Sequence, residues 1–360
     1  MSDEKYNVLI LGASYGSLLA SKLILAGHNA TLICLPEEVE LINKDGIHVR
    51  MPVRGRDDLV EIHSKDAPGK LNAAGPGDVD PADYDLVALA MQEPQYRSDG
   101  VRQLLDKVAK SGKPCMSIMN MPPLPYMLRL PGVEAEAIKQ CYTDPTVWDG
   151  FDSDLVTLAS PDPQAFRPPE EPVNVLQVSL PTNFKVARFA SDEHTAMLRR
   201  IEQDILDIRF DLGDGNPIEL PVKLRVYDSI FVPLAKWAML MTGNYRCVQE
   251  DAARSIKEAV HSNLDASKEV YDWVHDLCQK MGADAADMVP FEKYAKAAEG
   301  LLKPSSAARA IEAGSPAIER VDRIVQRVGR ALGMPNDEVD AIVEIVDARL
   351  KANDVSTHAA

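Results

Sequence analysis

Residues 6–35 read YNVLILGASYGSLLASKLILAGHNATLICL. Tyr6 to Leu11 is a short apolar run rich in strand formers, and a glycine-bearing turn follows at once. Leu18, Leu19, Leu23 and Leu25 then recur at loosely helical spacing, and Gly27 stands where a helix C-terminus favours glycine. Ala30 to Leu35 is a second strand-like run. Strand, tight turn, helix and strand within about 30 residues make a βαβ unit. Glycines in such a turn let the backbone approach a pyrophosphate, and the helix start offers N–H groups and a positive dipole end. The turn here is GASYGS, with Gly12, Ser14, Tyr15, Gly16 and Ser17 as candidate cofactor contacts. Compared with GxGxxG it is one residue short, or carries Ser14 for the second glycine, so the match is partial. A plain strand–helix turn is the competing reading.

The end of the second strand bears on the cofactor, because an acid there suits the ribose of NAD and an Arg the 2′-phosphate of NADP. This chain has Leu35, Pro36, Glu37 and Glu38, with no Arg immediately after the strand. The two acids would repel a 2′-phosphate, or simply begin the next helix, where acids are favoured anyway. NAD or NADP both remain open as the cofactor. Further strands are expected at Tyr84–Met91, followed by Gln92, and at Pro114–Met119, followed by Asn120. Met121, Pro122 and Pro123 cannot continue a central strand, which places Asn120 at a strand tip.

Eleven of the 25 prolines fall between Pro122 and Pro181, excluding long helices there. Strands at 173–180 and 184–190 would extend the sheet, and a helix is expected over 194–210. The stretch DLGDGNPIEL, residues 211–220, breaks the composition and marks the expected domain boundary. Beyond it the chain turns helical: an almost wholly apolar stretch at 230–242, a helix over 250–281, and two more marked by Val321–Leu332 and Val339–Leu350. Asn336 is the expected cap of the last, and the tail after Lys351 is expected to fray. The fold class is therefore an α/β N-terminal Rossmann-like domain with a mostly parallel sheet, residues 1–215. An all-α C-terminal domain, residues 216–360, follows it.

Composition removes several function classes. Lys+Arg number 39 and Asp+Glu 55, a net charge of −16, which repels phosphate backbones and argues against nucleic acid or an anionic membrane as partner. No uncharged apolar run nears the ~18 residues of a membrane span. The opening MSDEKYNVLI carries acids where a signal peptide has bases, and five scattered Cys without a CxxC pair read as reduced thiols. A cytoplasmic location is the expectation. The seven His show no HxH or HExxH spacing, so no metal is expected, and no GxSxG elbow supports a hydrolase.

Lys236 is the only charge between Ser229 and Tyr245. An ammonium in an apolar helix is desolvated, which moves its pKa toward the working pH of a general acid, unless it snorkels to the surface. Asn244 lies eight residues on, about 80° around a regular helix, so both could face one cleft. Ser305 and Ser306 could cap a helix or bind a substrate carboxylate. Glu319 falls in the expected first turn of the next helix, where an acid is stabilising in any case.

The order of these features resembles the ketopantoate reductase family. The best part is KPSSAARAIEAGSPAIERVDRIVQRVGRALGMP, residues 303–335. In that family a lysine on the first long helix of the second domain protonates the carbonyl oxygen, and Lys236 in PLAKWAMLMTGN matches it. Of the two asparagines that follow it there, the first is Leu240 here and the second is Asn244. Asn120 in SIMNMPP matches a family asparagine, with Met121 in place of the glycine after it. Gln92 replaces a family lysine, and Leu35 the arginine that selects NADP. The family glutamate falls on Ile318, one residue from Glu319. The resemblance implies an NAD(P)H-dependent reductase in which Lys236 and Glu319 are catalytic. Asn120, Asn244, Ser305 and Ser306 would bind substrate in the cleft between the domains, and Leu35, Gln92 and Asn120 would contact the cofactor. The lost polar groups point to a small carbonyl or hydroxy-acid substrate other than ketopantoate. Two alternatives are an opine-type dehydrogenase, which uses a histidine where Lys236 stands, and a dinucleotide-binding sensor without turnover. The long C-terminal helices could pair two chains as a homodimer or pack on each other.

Overall fold

The structure is a computed structural model that describes residues 5–213 and 215–359. Among the described residues, twelve strands run in chain order: β1 (Asn7–Leu11), β2 (Asn29–Ile33), β3 (His48–Met51), β4 (Val60–His63), β5 (Leu71–Ala74), β6 (Leu86–Leu89), β7 (Cys115–Ile118), β8 (Val156–Ser160), β9 (Gln164–Phe166), β10 (Val175–Leu180), β11 (Phe184–Ala187) and β12 (Leu224–Tyr227). Eight of them form one sheet of order β12-β11-β8-β7-β6-β1-β2-β5, in which only the β11–β8 pair is antiparallel. The order reverses at β1, with β2 on one side and β6 on the other. In doubly wound sheets such a crevice receives the ligand.

The βαβ unit forms where the sequence places it. Residues 8–11 and 30–33 are buried on both faces, as central parallel strands require. Helix α1 (Gly16–Leu25) is buried along almost its whole length, including Lys22. Helix α2 (Pro36–Asp45) begins with proline and two acids, a favourable helix start.

A second sheet, of order β4-β3-β10-β9, was not foreseen. The strand expected at 173–180 forms as β10 but joins this sheet, because Val175–Gln177 register with His48–Arg50 of β3. The strand expected at 184–190 does extend the main sheet, as β11. Val49, Met51, Val60 and Ile62 turn one face of β3–β4 into the shared core, leaving His48, Arg50, Glu61 and His63 on the other.

The chain divides into two compact units. The first holds residues up to Met91, Gln95–Tyr126 and Val147–Asp228; the second holds Gln92–Pro94, Met127–Thr146 and Ser229 onward. The expected boundary at 215/216 therefore falls inside the first unit. The reason is β12, which returns after the 211–220 break to pair with β11.

The second unit is helical. The single helix expected over 250–281 is two, Ile256–His261 and Leu264–Met281, restarted by Asn263, whose side chain accepts from Ala266 N. Asn336 caps the last helix by accepting from Val339 N at 3.0 Å. That helix runs Asp337–Ala359, continuing past Lys351 into the segment expected to fray. No Gly or Pro interrupts the segment, and Asn353 Nδ2 donates to the Ile311 and Ser315 carbonyls at 2.8 and 3.0 Å. All five Cys are free thiols. Among the described residues, no helix is long and apolar enough to cross a membrane.

Candidate active site

In the first unit, the turn after β1 is built for close approach. Gly12 has φ +104°, and a Cβ there would lie 2.6 Å from Met91 Cγ and 2.8 Å from the Ala90 carbonyl oxygen. A Cβ on Gly16 would lie 2.7 Å from Ile10 Cγ2, so α1 packs tightly on β1. Gly12 and Gly16 thus fill the tight-turn and close-packing roles of a dinucleotide turn, while Ser14 is exposed at its tip. No acid occupies the first turn of α1, so no local charge there would repel an anion from its N-terminal amides.

The two other turn residues contribute differently. The Ser17 hydroxyl bonds the Ala13 carbonyl, and the Tyr15 hydroxyl donates to Pro163 O at 2.6 Å while its ring packs edge-on against Phe184. Burial holds the Tyr15 phenol well above its usual pKa. Both side chains brace the turn rather than project from it. Leu35 is 61% exposed at the start of α2. Its N–H donates to Glu38 Oε2 at 3.2 Å, and Glu38 is ion-paired with Arg167. Sequence reasoning missed Arg167. It follows β9 and arrives through the fold, with no local motif joining it to Leu35. Asn120 lies two residues beyond β7, partly buried, and Met121 after it is fully buried.

In the second unit, the apolar stretch is not a regular helix. A short 3₁₀ turn (Val232–Ala235) leads into Lys236–Met239 and then into a π-helical segment, Leu240–Asn244. Its cause is visible. The Tyr294 hydroxyl donates to Met239 O at 3.1 Å, and a Cβ on Gly243 would lie 1.9 Å from that same Oη. A side chain reaching into the helical ladder widens it, and only glycine leaves room. The widening absorbs about one residue, so Asn244 moves from about 80° to within roughly 20° of Lys236 on the helix face. We expect Gly243→Ala to destabilise the protein by about 1–3 kcal/mol, read by denaturant unfolding, because Tyr294 is buried and cannot retreat.

Hydrogen bonds anchor the backbone at two of the candidate residues of this unit, Asn244 and Glu319. Ser305 Oγ donates to Asn244 O at 2.7 Å and accepts from Ala308 N at 3.1 Å, capping helix Ser306–Glu312. The Tyr245 hydroxyl donates to Glu319 O at 2.6 Å and accepts from Val321 N at 3.0 Å. Burial holds the Tyr245 phenol well above its usual pKa. Glu319 is not in the first turn of a helix, as expected, but two residues before helix Val321–Ala331. Arg320 bonds the buried Asp322 bidentately, at 2.9 and 2.7 Å, and this pins the turn that carries Glu319. Lys236, Asn244 and Glu319 are all partly exposed, whereas Ser305 is buried and Ser306 exposed. Gln92 is also exposed and belongs to the second unit.

No family model and no curated protein matches this sequence. Solved structures do match. The 2-dehydropantoate 2-reductase of Methylococcus capsulatus superposes with TM-score 0.65 at 12% identity, covering 96% of this chain and 97% of that one. D-mandelate dehydrogenase, solved with NADH and anilino(oxo)acetate, gives 0.63 at 15% identity, covering 97% and 99%. The dimeric ketopantoate reductase of Staphylococcus aureus gives 0.60 at 12% identity, covering 96% and 99%. At these identities the likeness is one of fold, and it extends over nearly the whole chain. The protein is thus a divergent representative of the ketopantoate reductase fold.

Proposed function

We propose that this chain is an NAD(P)H-dependent reductase or dehydrogenase of a 2-oxo acid or related carbonyl compound, with Lys236 as general acid. The observation that supports the reading is the π-helical segment, which turns Asn244 toward the Lys236 face of the helix, with the Asn244 and Glu319 carbonyls held by Ser305 and Tyr245. The glycine turn after β1 and the acid-free start of α1 fit a dinucleotide, whose nicotinamide supplies the hydride. The Lys236 ammonium then donates its proton to the carbonyl oxygen and stabilises the developing alkoxide. Asn244 orients the substrate, Glu319 binds its far end, and Asn120 orients the nicotinamide ribose. Ser305 acts as a positioning residue, since its hydroxyl is committed to Asn244 and Ala308, while Ser306 is accessible to a carboxylate. A substrate other than ketopantoate follows from Leu240 and Gln92, which replace polar contacts of that family. A homodimer and a cytoplasmic location belong to the same reading.

Arg167 bears on cofactor choice. Guanidinium offers five donors, and its pairing with Glu38 leaves several for a 2′-phosphate at the end of β2. We expect Arg167→Ala to weaken NADPH binding by roughly tenfold and NADH binding by less, read by fluorescence titration.

The deciding experiment follows loss of reduced-nicotinamide absorbance across a panel of aliphatic and aryl 2-oxo acids, with NADH and NADPH in parallel. Turnover of a 2-oxo acid alone supports the proposal. Turnover that requires an amino acid as co-substrate would make the chain an opine-type dehydrogenase. Cofactor binding without turnover would make it a sensor.

A further inference from the structure

The outer face of the second sheet carries a group with no part in hydride transfer. His48 on β3 stands directly opposite His63 on β4, and Arg50 opposite Glu61. Side chains two apart on a strand share a face, so all four project together. His48 Nδ1 lies 3.1 Å and His63 Nε2 3.3 Å from the same oxygen, Glu61 Oε1. The two imidazole rings are 4.3 Å apart, and the three ligand atoms all fall within 4.8 Å of one another. They line a groove of about 630 Å³, with Lys44 and Asp45 at the end of α2 on one side and Glu171 and Asn174 on the other.

We infer that His48, Glu61 and His63 form a binding site for a divalent transition-metal ion of the zinc class. Bonds of about 2.0–2.2 Å from a tetrahedral zinc to nitrogen and carboxylate oxygen set ligand atoms roughly 3.4 Å apart. The two His–Glu spacings, 3.1 and 3.3 Å, are already near that value, and the two imidazole nitrogens lie within 4.8 Å of each other. Two imidazoles and one carboxylate suit zinc, cobalt or nickel; calcium and magnesium prefer oxygen alone.

The surroundings support the assignment. Arg50 Nε holds the other oxygen, Glu61 Oε2, at 2.9 Å, which aims Oε1 at the imidazole pair. The charge of Arg50 is offset in turn by Glu171 at 2.6 Å, so the guanidinium does not cancel the carboxylate. Side-chain exposures of 26%, 31% and 44% for His48, Glu61 and His63 leave solvent a path in, and a fourth position open. The alternative is a cross-strand hydrogen-bonded network that holds β3 to β4 and binds no metal.

The test uses the full chain stripped with a chelator and then titrated with Co²⁺ and with Zn²⁺. We expect saturation at one equivalent, visible Co²⁺ absorption bands of tetrahedral intensity, and displacement of Co²⁺ by Zn²⁺ but not by Mg²⁺ or Ca²⁺. His63→Gln and Glu61→Gln should each weaken binding by at least about tenfold. His275→Gln, in the second unit, should leave it unchanged. His63 is exposed, so its replacement does not disturb the core. Absence of stoichiometric binding, equal competition by Mg²⁺, or affinity unaffected by His63→Gln would each overturn the assignment in favour of the network.

Discussion

Replacement of Lys236 by alanine is expected to lower kcat by about 10²–10⁴-fold, while NADH and NADPH bind as before. The lysine enters a stretch in which Leu234, Ala235, Trp237 and Ala238 are all buried, yet it is itself partly exposed. That combination presents an ammonium from a rigid apolar wall. On the proposed mechanism, removing it deletes the proton donor and the charge that meets the alkoxide, both of which matter in the transition state more than in the ground state. The loss should therefore fall on kcat more than on KM. Lys236→Arg should not restore the rate, since a guanidinium keeps its proton. Steady-state kinetics with the best substrate of the panel, paired with fluorescence titration of the cofactor, reads both quantities. Near wild-type turnover in Lys236→Ala would remove the lysine from the mechanism.

The second large effect concerns stability. Lys22 is fully buried on α1, where its Nζ donates to Pro221 O at 2.5 Å and touches Met51 Sδ at 3.7 Å. Burial, reinforced by the nearby Lys223 charge, pulls its pKa from 10.5 down to about 7. Between those values the unfolded chain holds a proton that the folded chain does not. Folding stability contributed by this group thus rises with pH, by ~1.4 kcal/mol per pH unit and about 5 kcal/mol across the window. Below pH 7 both states are charged, and the full desolvation cost is present. Lys22→Met removes this step. Its stability advantage over the parent should shrink steadily as the pH rises from 7 toward 10, measured by denaturant unfolding at each pH. Parallel profiles would show that Lys22 is neutral or charged in both states alike. The Pro221 contact has a structural side as well: Val222, next along, has φ +63°, a strained value for a β-branched residue, and the Lys22 bond helps hold it there.

How much of this was legible in the sequence varies by distance along the chain. The turn after β1 could be read because its signal is local: Gly12 and Gly16 within one strand–helix junction, flanked by apolar runs. The Asn336 cap was equally local. Lys236 declared itself as one charge in an apolar stretch, and helical spacing already turns Asn244 toward the same side, but the π segment that narrows the angle does not show, because it depends on Tyr294, fifty residues further on. Glu319 was placed inside a helix that begins two residues later, since only the folded chain brings the Tyr245 hydroxyl to Val321 N. Arg167 beside Glu38 and His48 beside His63 were invisible for the same reason. Pairings across strands are set by register, which no spacing rule reports.

The interrupted make-up of the second unit has a consequence for how the protein is made. Residues 127–146 emerge from the ribosome well before the helix Val321–Ala331 that packs against Ala135–Ile138. At about 5–20 residues per second, the gap between them lasts roughly 10–35 s. Throughout that time Leu130, Ile138, Cys141 and Tyr142, all buried in the finished molecule, have no completed core to enter. The nascent chain therefore carries this short apolar segment uncovered until the last helices arrive, and truncation before them is expected to yield aggregates rather than a smaller folded protein.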